Sequence, residues 1–310
     1  MAKRATREAL GKTLVELVEA GYDVMAVDAD LAGSTKSGDL GKVYPDRLVD
    51  VGIAEQNMVG VAAGLALTGR TVFTSSFAVF GTGRCWDQIR NTVCDTNLDV
   101  KICPTHAGVT TGEDGATHQA LEDIALMRVL PRMRVMVPAD YNSTRAAIKL
   151  AAQTPGPVYI RMGRFAVEDI YGEDFEAALP KAQVLREGSD LSIMACGVEV
   201  SQALEAAELL AAEGINAEVI DVFSIKPLDE ATILASAAKT GLVLAVEEHS
   251  VYGGMGSAIA ELLSEKQPCK MGFVGMHGFG TTAPGGVLLK HFGLDPAGIV
   301  AQAKELVASR

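Results

Sequence analysis

Basic charge is scarce in this sequence: 27 Lys and Arg stand against 39 Asp and Glu, a net charge of −12 at pH 7. A nucleic-acid-binding or anionic-membrane surface needs clustered Lys and Arg, so both partners are excluded. A local pocket of a few Arg and His for a phosphorylated substrate is not. Long apolar runs are also missing, since none approaches the ~18 residues of a membrane span. The N-terminal MAKRATREALGKTLVEL opens an amphipathic helix; no apolar stretch follows its basic residues as a signal peptide requires. The five Cys include no CxxC pair. Cys85, Cys94 and Cys103 recur every nine residues, which fits neither zinc-ligand spacing nor a redox dithiol. Reduced, buried thiols are expected, with no metal site in this chain, in a soluble cytoplasmic protein.

What is present is the composition of a globular α/β protein: 48% hydrophobic residues and 32 Gly. Residues 5–20 have helical periodicity, with Leu10, Leu14, Val15, Leu17 and Val18 on one side. Short apolar strands follow at DVMAVDAD, TVFTSSF, VKICPTH, MRVMVPAD and PVYIRMG, alternating with helices over 52–69, 84–94, 119–130 and 142–153. This rhythm predicts a parallel sheet covered on both faces. Acidic, turn-prone sequence with a Pro then reads as a linker over 168–183. A second βαβ series follows, with strands LSIMACG, AEVIDVF and LVLAVEEHS and helices over 199–213, 229–239 and from Gly253 onward. The predicted architecture is α/β: two three-layer domains, 1–167 and 184–310, the second smaller.

Chemistry-bearing residues concentrate between Thr105 and His118. Gly108, Gly112 and Gly115 suit a tight turn or a close approach to a ligand. His106, Asp114 and His118 can hold hydroxyls, move protons or face a phosphate. A structural alternative has Glu113 and Asp114 capping a helix near Thr117. In the second domain GGMGSA at 253–258 lacks GxGxxG order, so a closely packed helix start is expected rather than a phosphate loop. Packing is the default for His249 and His277.

Read in order, ATR at 5–7, DADLAGS at 28–34, GIAEQN at 52–57, SFAVF at 76–80, TH at 105–106, GEDGATHQALED at 112–123 and PAD at 138–140 resemble the successive motifs of the transketolase family. GEDGATHQ after TH is the most discriminating, and the resemblance covers nearly the whole chain. It implies a pyrimidine-binding domain at 1–167, a transketolase C-terminal-like domain at 184–310, and thiamine diphosphate as cofactor. Glu55 matches the family acid that bonds N1′ of the aminopyrimidine and favours the imino tautomer, which removes the thiazolium C2 proton. Phe77 and Phe80 match the aromatics that pack this ring. The family has a further aromatic where this chain has Gly83, so that wall of the pocket is expected to differ. Asp30 matches an acid near the cofactor and subunit interface. Arg7, Ser34, His106 and Arg161 match the holders of a substrate phosphate, with His106 and His118 also implied in catalysis. Asp114 and His118 match contacts to substrate hydroxyls.

The family also binds the diphosphate through Mg²⁺, by GDG followed by a downstream Asn. GDLGKV at 38–43 is not that motif. The resemblance therefore implies a split enzyme: a separate N-terminal subunit holds the diphosphate and Mg²⁺, in an α2β2 assembly acting on sugar phosphates. Two other readings stay open. One is a subunit of another thiamine-diphosphate enzyme, similar to 1-deoxy-xylulose-5-phosphate synthase or a 2-oxoacid dehydrogenase β subunit. The other is a non-catalytic binding subunit that kept the fold.

Overall fold

The computed structural model describes residues 3–310. Its larger sheet has seven strands in the order Ser224–Lys226, Arg134–Met136, Val158–Ile160, Val100–Ile102, Thr71–Ser75, Val24–Asp28, Leu48–Asp50. Six are parallel, and their apolar runs are buried because helices cover both faces. Ser224–Lys226 is the exception: it runs antiparallel and comes from the second half of the chain. The smaller sheet has the order Lys270–Met276, Leu242–Ser250, Leu191–Ala195, Ala217–Asp221, Gln183–Arg186, the last antiparallel. One continuous buried cluster runs from Val27 and Ile102 through Val222 and Ile225 to Ile259, so the halves share a core.

Three local expectations are altered. The wholly parallel first sheet becomes mixed, because that borrowed edge strand pairs with Arg134–Met136. The helix expected over 119–130 is confined to Asp123–Arg128. Its missing turn stays extended because the Ala120 carbonyl accepts the Gly108 N–H at 2.9 Å and the Leu121 carbonyl accepts that of Ser250 at 2.8 Å. The helix expected over 84–94 is wound with wide turns at Val79–Arg84 and Ile89–Cys94 around Trp86–Gln88. Such π-type turns are rare and concentrate at functional sites.

The segment after the first sheet is held down. Ala166–Glu168 pairs antiparallel with Lys3–Ala5. Beyond it, the N–H groups of Ile170 and Tyr171 donate to Asp140 Oδ2 at 2.6 and 2.8 Å. Asp140 Oδ1 meanwhile accepts the Ser143 N–H at 2.7 Å, capping helix Tyr141–Gln153. One buried carboxylate thus ends a loop and starts a helix. At the second domain's GGMG turn, Glu247 accepts the N–H groups of Met255 and Gly256 at 2.7 and 2.9 Å. The helix start is filled by the chain's own carboxylate. His249 is fully buried, bonded to the Ser250 carbonyl at 2.7 Å. No helix among the described residues is long and apolar enough to cross a membrane.

Candidate active site

In a parallel sheet, the loops leaving the C-terminal strand ends converge on one edge, where ligands of such folds bind. Here the loops after Asp28, Ser75 and Ile102 carry Asp30, Ser34, Phe77, Phe80, His106, Asp114 and His118, and the segment after Asp50 carries Glu55.

Glu55 is the first residue of helix Glu55–Ala66 and is only 2% exposed. Its Oε1 accepts from Ser76 Oγ at 3.4 Å and its Oε2 from Arg84 Nη1 at 2.8 Å. The Arg84 guanidinium lies 4.5 Å from the Phe80 ring centroid, a cation–π arrangement. Gly83 leaves open space where a side chain would stand, and Arg84 beside it covers that flank. Phe77 and Phe80 are nearly parallel with centroids 6.2 Å apart. His118 meets Phe80 edge-on at 5.2 Å, and Phe77 stacks on His106 at 3.8 Å.

His106 is 3% exposed and sits in the left-handed region at φ 59°. Arg7 Nη1 lies 3.1 Å from its Nε2, and Thr105 Oγ1 2.7 Å from its Nδ1. Arg can only donate, so Nε2 is the acceptor and Nδ1 carries the proton, which it gives to Thr105. Burial, reinforced by Arg7, Arg164 and His118, drives the His106 pKa down to about 3. The ring is neutral at every ordinary pH. The same Arg7 nitrogen donates to the Ser34 carbonyl at 2.9 Å, while Arg7 Nε is buried without a partner. Burial and then Arg164 lower the Arg7 pKa. Arg7 and Arg164 are near enough for their charges to act on one another and on His106, a concentration of positive charge that suits an anion.

Arg161 is not at that place. It is buried, with Nε and Nη2 donating to the two oxygens of Asp123 at 2.8 and 3.2 Å. Nη2 also donates to the carbonyls of Ala120 and Glu248 at 3.2 and 3.1 Å. Its donors are committed inside the protein, which corrects its expected contact with a substrate phosphate. Arg164, three residues on, is 36% exposed, donates to the Thr111 carbonyl at 2.9 Å, and contacts Asp114 at 3.3 Å. The RMGR spacing contained this signal: the strand ends at Ile160, and the chain turns outward before the second Arg.

Asp114 and His118 are at least partly accessible, and no helix starts near Thr117 for Asp114 to cap. His118 Nδ1 lies 2.9 Å from Thr117 Oγ1. Asp30 is exposed at φ 63°, with its N–H on Asp50 Oδ1 at 3.0 Å. The loop after it is fixed by buried Asp28, which accepts from the Leu31 N–H at 2.6 Å and from Thr35 and Ser37 hydroxyls at 2.8 Å each. Motif reading did not single out Arg84 and Arg164, and it assigned no contact to Ser76 or Asp28, which lie inside the quoted motifs.

The geometry is therefore a contiguous run. It passes from a buried carboxylate, through two Phe and two His rings, to a pair of Arg guanidiniums. It can receive a flat heteroaromatic ring at one end and an anion at the other, with a neutral imidazole and hydroxyl-binding groups between them.

The transketolase pyrimidine-binding domain family matches residues 2–168, and the transketolase C-terminal domain family matches residues 180–299. One of the subunits of the apulose-4-phosphate transketolase of Phocaeicola vulgatus is 40% identical over 310 residues, covering 98% of this chain and 97% of that one. Human transketolase is 38% identical over 309 residues, covering 98% of this chain but 49% of the human protein. Among solved structures, a split-gene transketolase described as an inactive β4 tetramer superposes with a TM-score of 0.91 at 47% identity, over 99% of each chain.

Proposed function

This chain belongs to the transketolase family, and from that premise we propose that it is the C-terminal subunit of a split, thiamine-diphosphate-dependent transketolase. The complex would move a two-carbon ketol unit between sugar phosphates. The observation that carries this is the uninterrupted run from Glu55 through Phe80, Phe77, His118 and His106 to Arg7 and Arg164.

The residues fit the cofactor's aminopyrimidine. A buried carboxylate stands at a helix start beside two apolar ring faces, and its present partner, Arg84, is half-exposed and free to leave. Thiamine diphosphate, when bound, supplies the carbon nucleophile that protein side chains lack. Glu55 would hold or share the proton at the ring's N1′, while Phe77 and Phe80 fix the ring plane. Asp30 would stand near the cofactor at the subunit contact. Arg7, Arg164, His106 and Ser34 would anchor the sugar's anionic end. Asp114 and His118 would bind its hydroxyls, with His118 placed to pass protons on the substrate oxygens; the expected proton transfer by His106 gives way to a positioning role, since its ring is neutral and held between Arg7 and Thr105.

The diphosphate and Mg²⁺ would be held by a separate N-terminal subunit in a cytoplasmic α2β2 assembly. The Glu55 helix leaves room for such a contact: Gly60 and Gly64 face open space, and Ile53 and Leu67 are exposed at 77% and 75%. The test is reconstitution. This chain and a diphosphate-binding subunit, mixed with thiamine diphosphate and Mg²⁺, should transfer ketol units from ketose phosphates. Full transfer by this chain alone would contradict the split assignment.

A further inference from the structure

The loop from Gly108 to Gln119 carries Asp114 and His118, yet much of what holds it comes from the second domain. Glu248, on strand Leu242–Ser250, is fully buried, and its Oε2 accepts both the Thr110 N–H at 3.1 Å and the Thr110 hydroxyl at 2.7 Å. Gly108 stands at φ 81° directly against it: a Cβ there would lie 2.1 Å from the Glu248 carboxyl carbon. At the loop's far end Gln119 Nε2 donates to the Thr281 carbonyl at 2.8 Å. Between them Gly115 and Gly112 pack on Thr282 and Ala283 of the same second-domain loop.

We propose that the second domain sets the position of the substrate loop, and that Glu248 is the positioning residue through which it does so. The inference rests on the functional reading above and gives the second domain a role within it. A buried N–H has no water to turn to, so Thr110 keeps its place only while Glu248 accepts from it. Burial raises the Glu248 pKa to about 7, with Arg161 and the two Thr110 bonds opposing the shift, so above that pH both bonds go to a carboxylate, the stronger kind. Glu248 is itself fixed by Arg161, whose Nη2 donates to its carbonyl at 3.1 Å and whose Nη1 lies 3.7 Å from Oε1. This gives the buried Arg161 a purpose: it ties the loop's second-domain support to Asp123 in the first domain. Asp114 binds substrate and His118 both binds it and passes protons in this scheme, so loosening the loop raises KM and lowers kcat/KM.

The experiment uses Glu248→Gln and Thr110→Val in the full chain. Amide hydrogen exchange is read on the chain itself, and steady-state kinetics on the reconstituted complex with a ketose phosphate donor. Glu248→Gln should lower donor kcat/KM about tenfold, and speed exchange across 108–118 about tenfold while strands Leu191–Ala195 and Ala217–Asp221 keep their protection. Unchanged kcat/KM or unchanged loop exchange would overturn the proposal. If Glu248→Gln loosens the whole chain, Thr110→Val decides: the same selective effect supports the proposal, and a silent variant refutes it. A wild-type complex without ketol transfer, together with selective loop loosening in both variants, would sink the functional reading and leave the loop's dependence on Glu248 standing.

Discussion

Arg161 and Arg164 lie three residues apart, and their separate replacement by Gln should show a stability loss only at Arg161. The Arg161 guanidinium is buried with both Asp123 oxygens and two carbonyls as partners. Removing one partner of such a pair leaves an uncompensated charge, Asp123, inside the protein, at a cost of about 3–5 kcal/mol. For a chain of this size that lowers Tm by on the order of 10 °C. Arg164 is more than a third exposed, and its ion pairs with Glu113 and Asp114 are solvated, so its loss should change stability by less than about 1 kcal/mol. Its effect should appear in binding instead. A charged hydrogen bond to an anionic substrate contributes about 1.5–3 kcal/mol, or roughly a ten- to hundredfold rise in KM. Thermal melts of the free chain and KM in the reconstituted complex read the two effects. The reasoning is refuted if Arg161→Gln melts like wild type or Arg164→Gln leaves KM alone.

His106 gives a pH prediction with a definite sign. Its folded pKa, depressed to about 3 by burial and the nearby cations, lies below the unfolded value of about 6.5. The stability it contributes is present above about pH 6.5 and is lost as pH falls toward its folded pKa, because only the unfolded state takes the proton readily. His106→Gln should therefore lose less urea stability than wild type between pH 7 and pH 4.5; equal losses would contradict the assignment of a neutral buried ring. Arg84 holds the Glu55 oxygen that the aminopyrimidine would need. Arg84→Gln should tighten thiamine diphosphate binding by the complex severalfold, read by quenching of the single Trp86, and weaker binding would count against that competition.

Much of the site was legible in the sequence because its residues leave the C-terminal ends of parallel strands. Short motifs at the ends of Val24–Asp28, Thr71–Ser75 and Val100–Ile102 come together whenever that sheet forms. Residue type singled out His106, Asp114 and His118, while Arg7, Ser34, Glu55, Phe77 and Phe80 were legible only through the resemblance to the transketolase family. Arg161 was misread because a strand end does not reveal which Arg points inward; that depended on Asp123, brought across from another loop. The edge strand Ser224–Lys226 was missed for a related reason. Three residues carry no periodicity, and their pairing with Arg134–Met136 joins segments far apart in the chain. Helix 119–130 lost its first turn to tertiary hydrogen bonds at Ala120 and Leu121 that outweigh helical propensity. The wide turns around Gly83 and Arg84 likewise hid the partner of Glu55 from an α-helical reading.

The central claim concerns Glu55, and ketol transfer by the complex reconstituted with Glu55→Gln tests it most directly. The substitution keeps shape and removes the carboxyl that would manage the N1′ proton. A loss on the order of 10²–10⁴ in kcat is expected, the range of general acid–base catalysis, with the Tm of the chain changed little beside it. Turnover equal to wild type would contradict the account and leave the chain as a binding subunit.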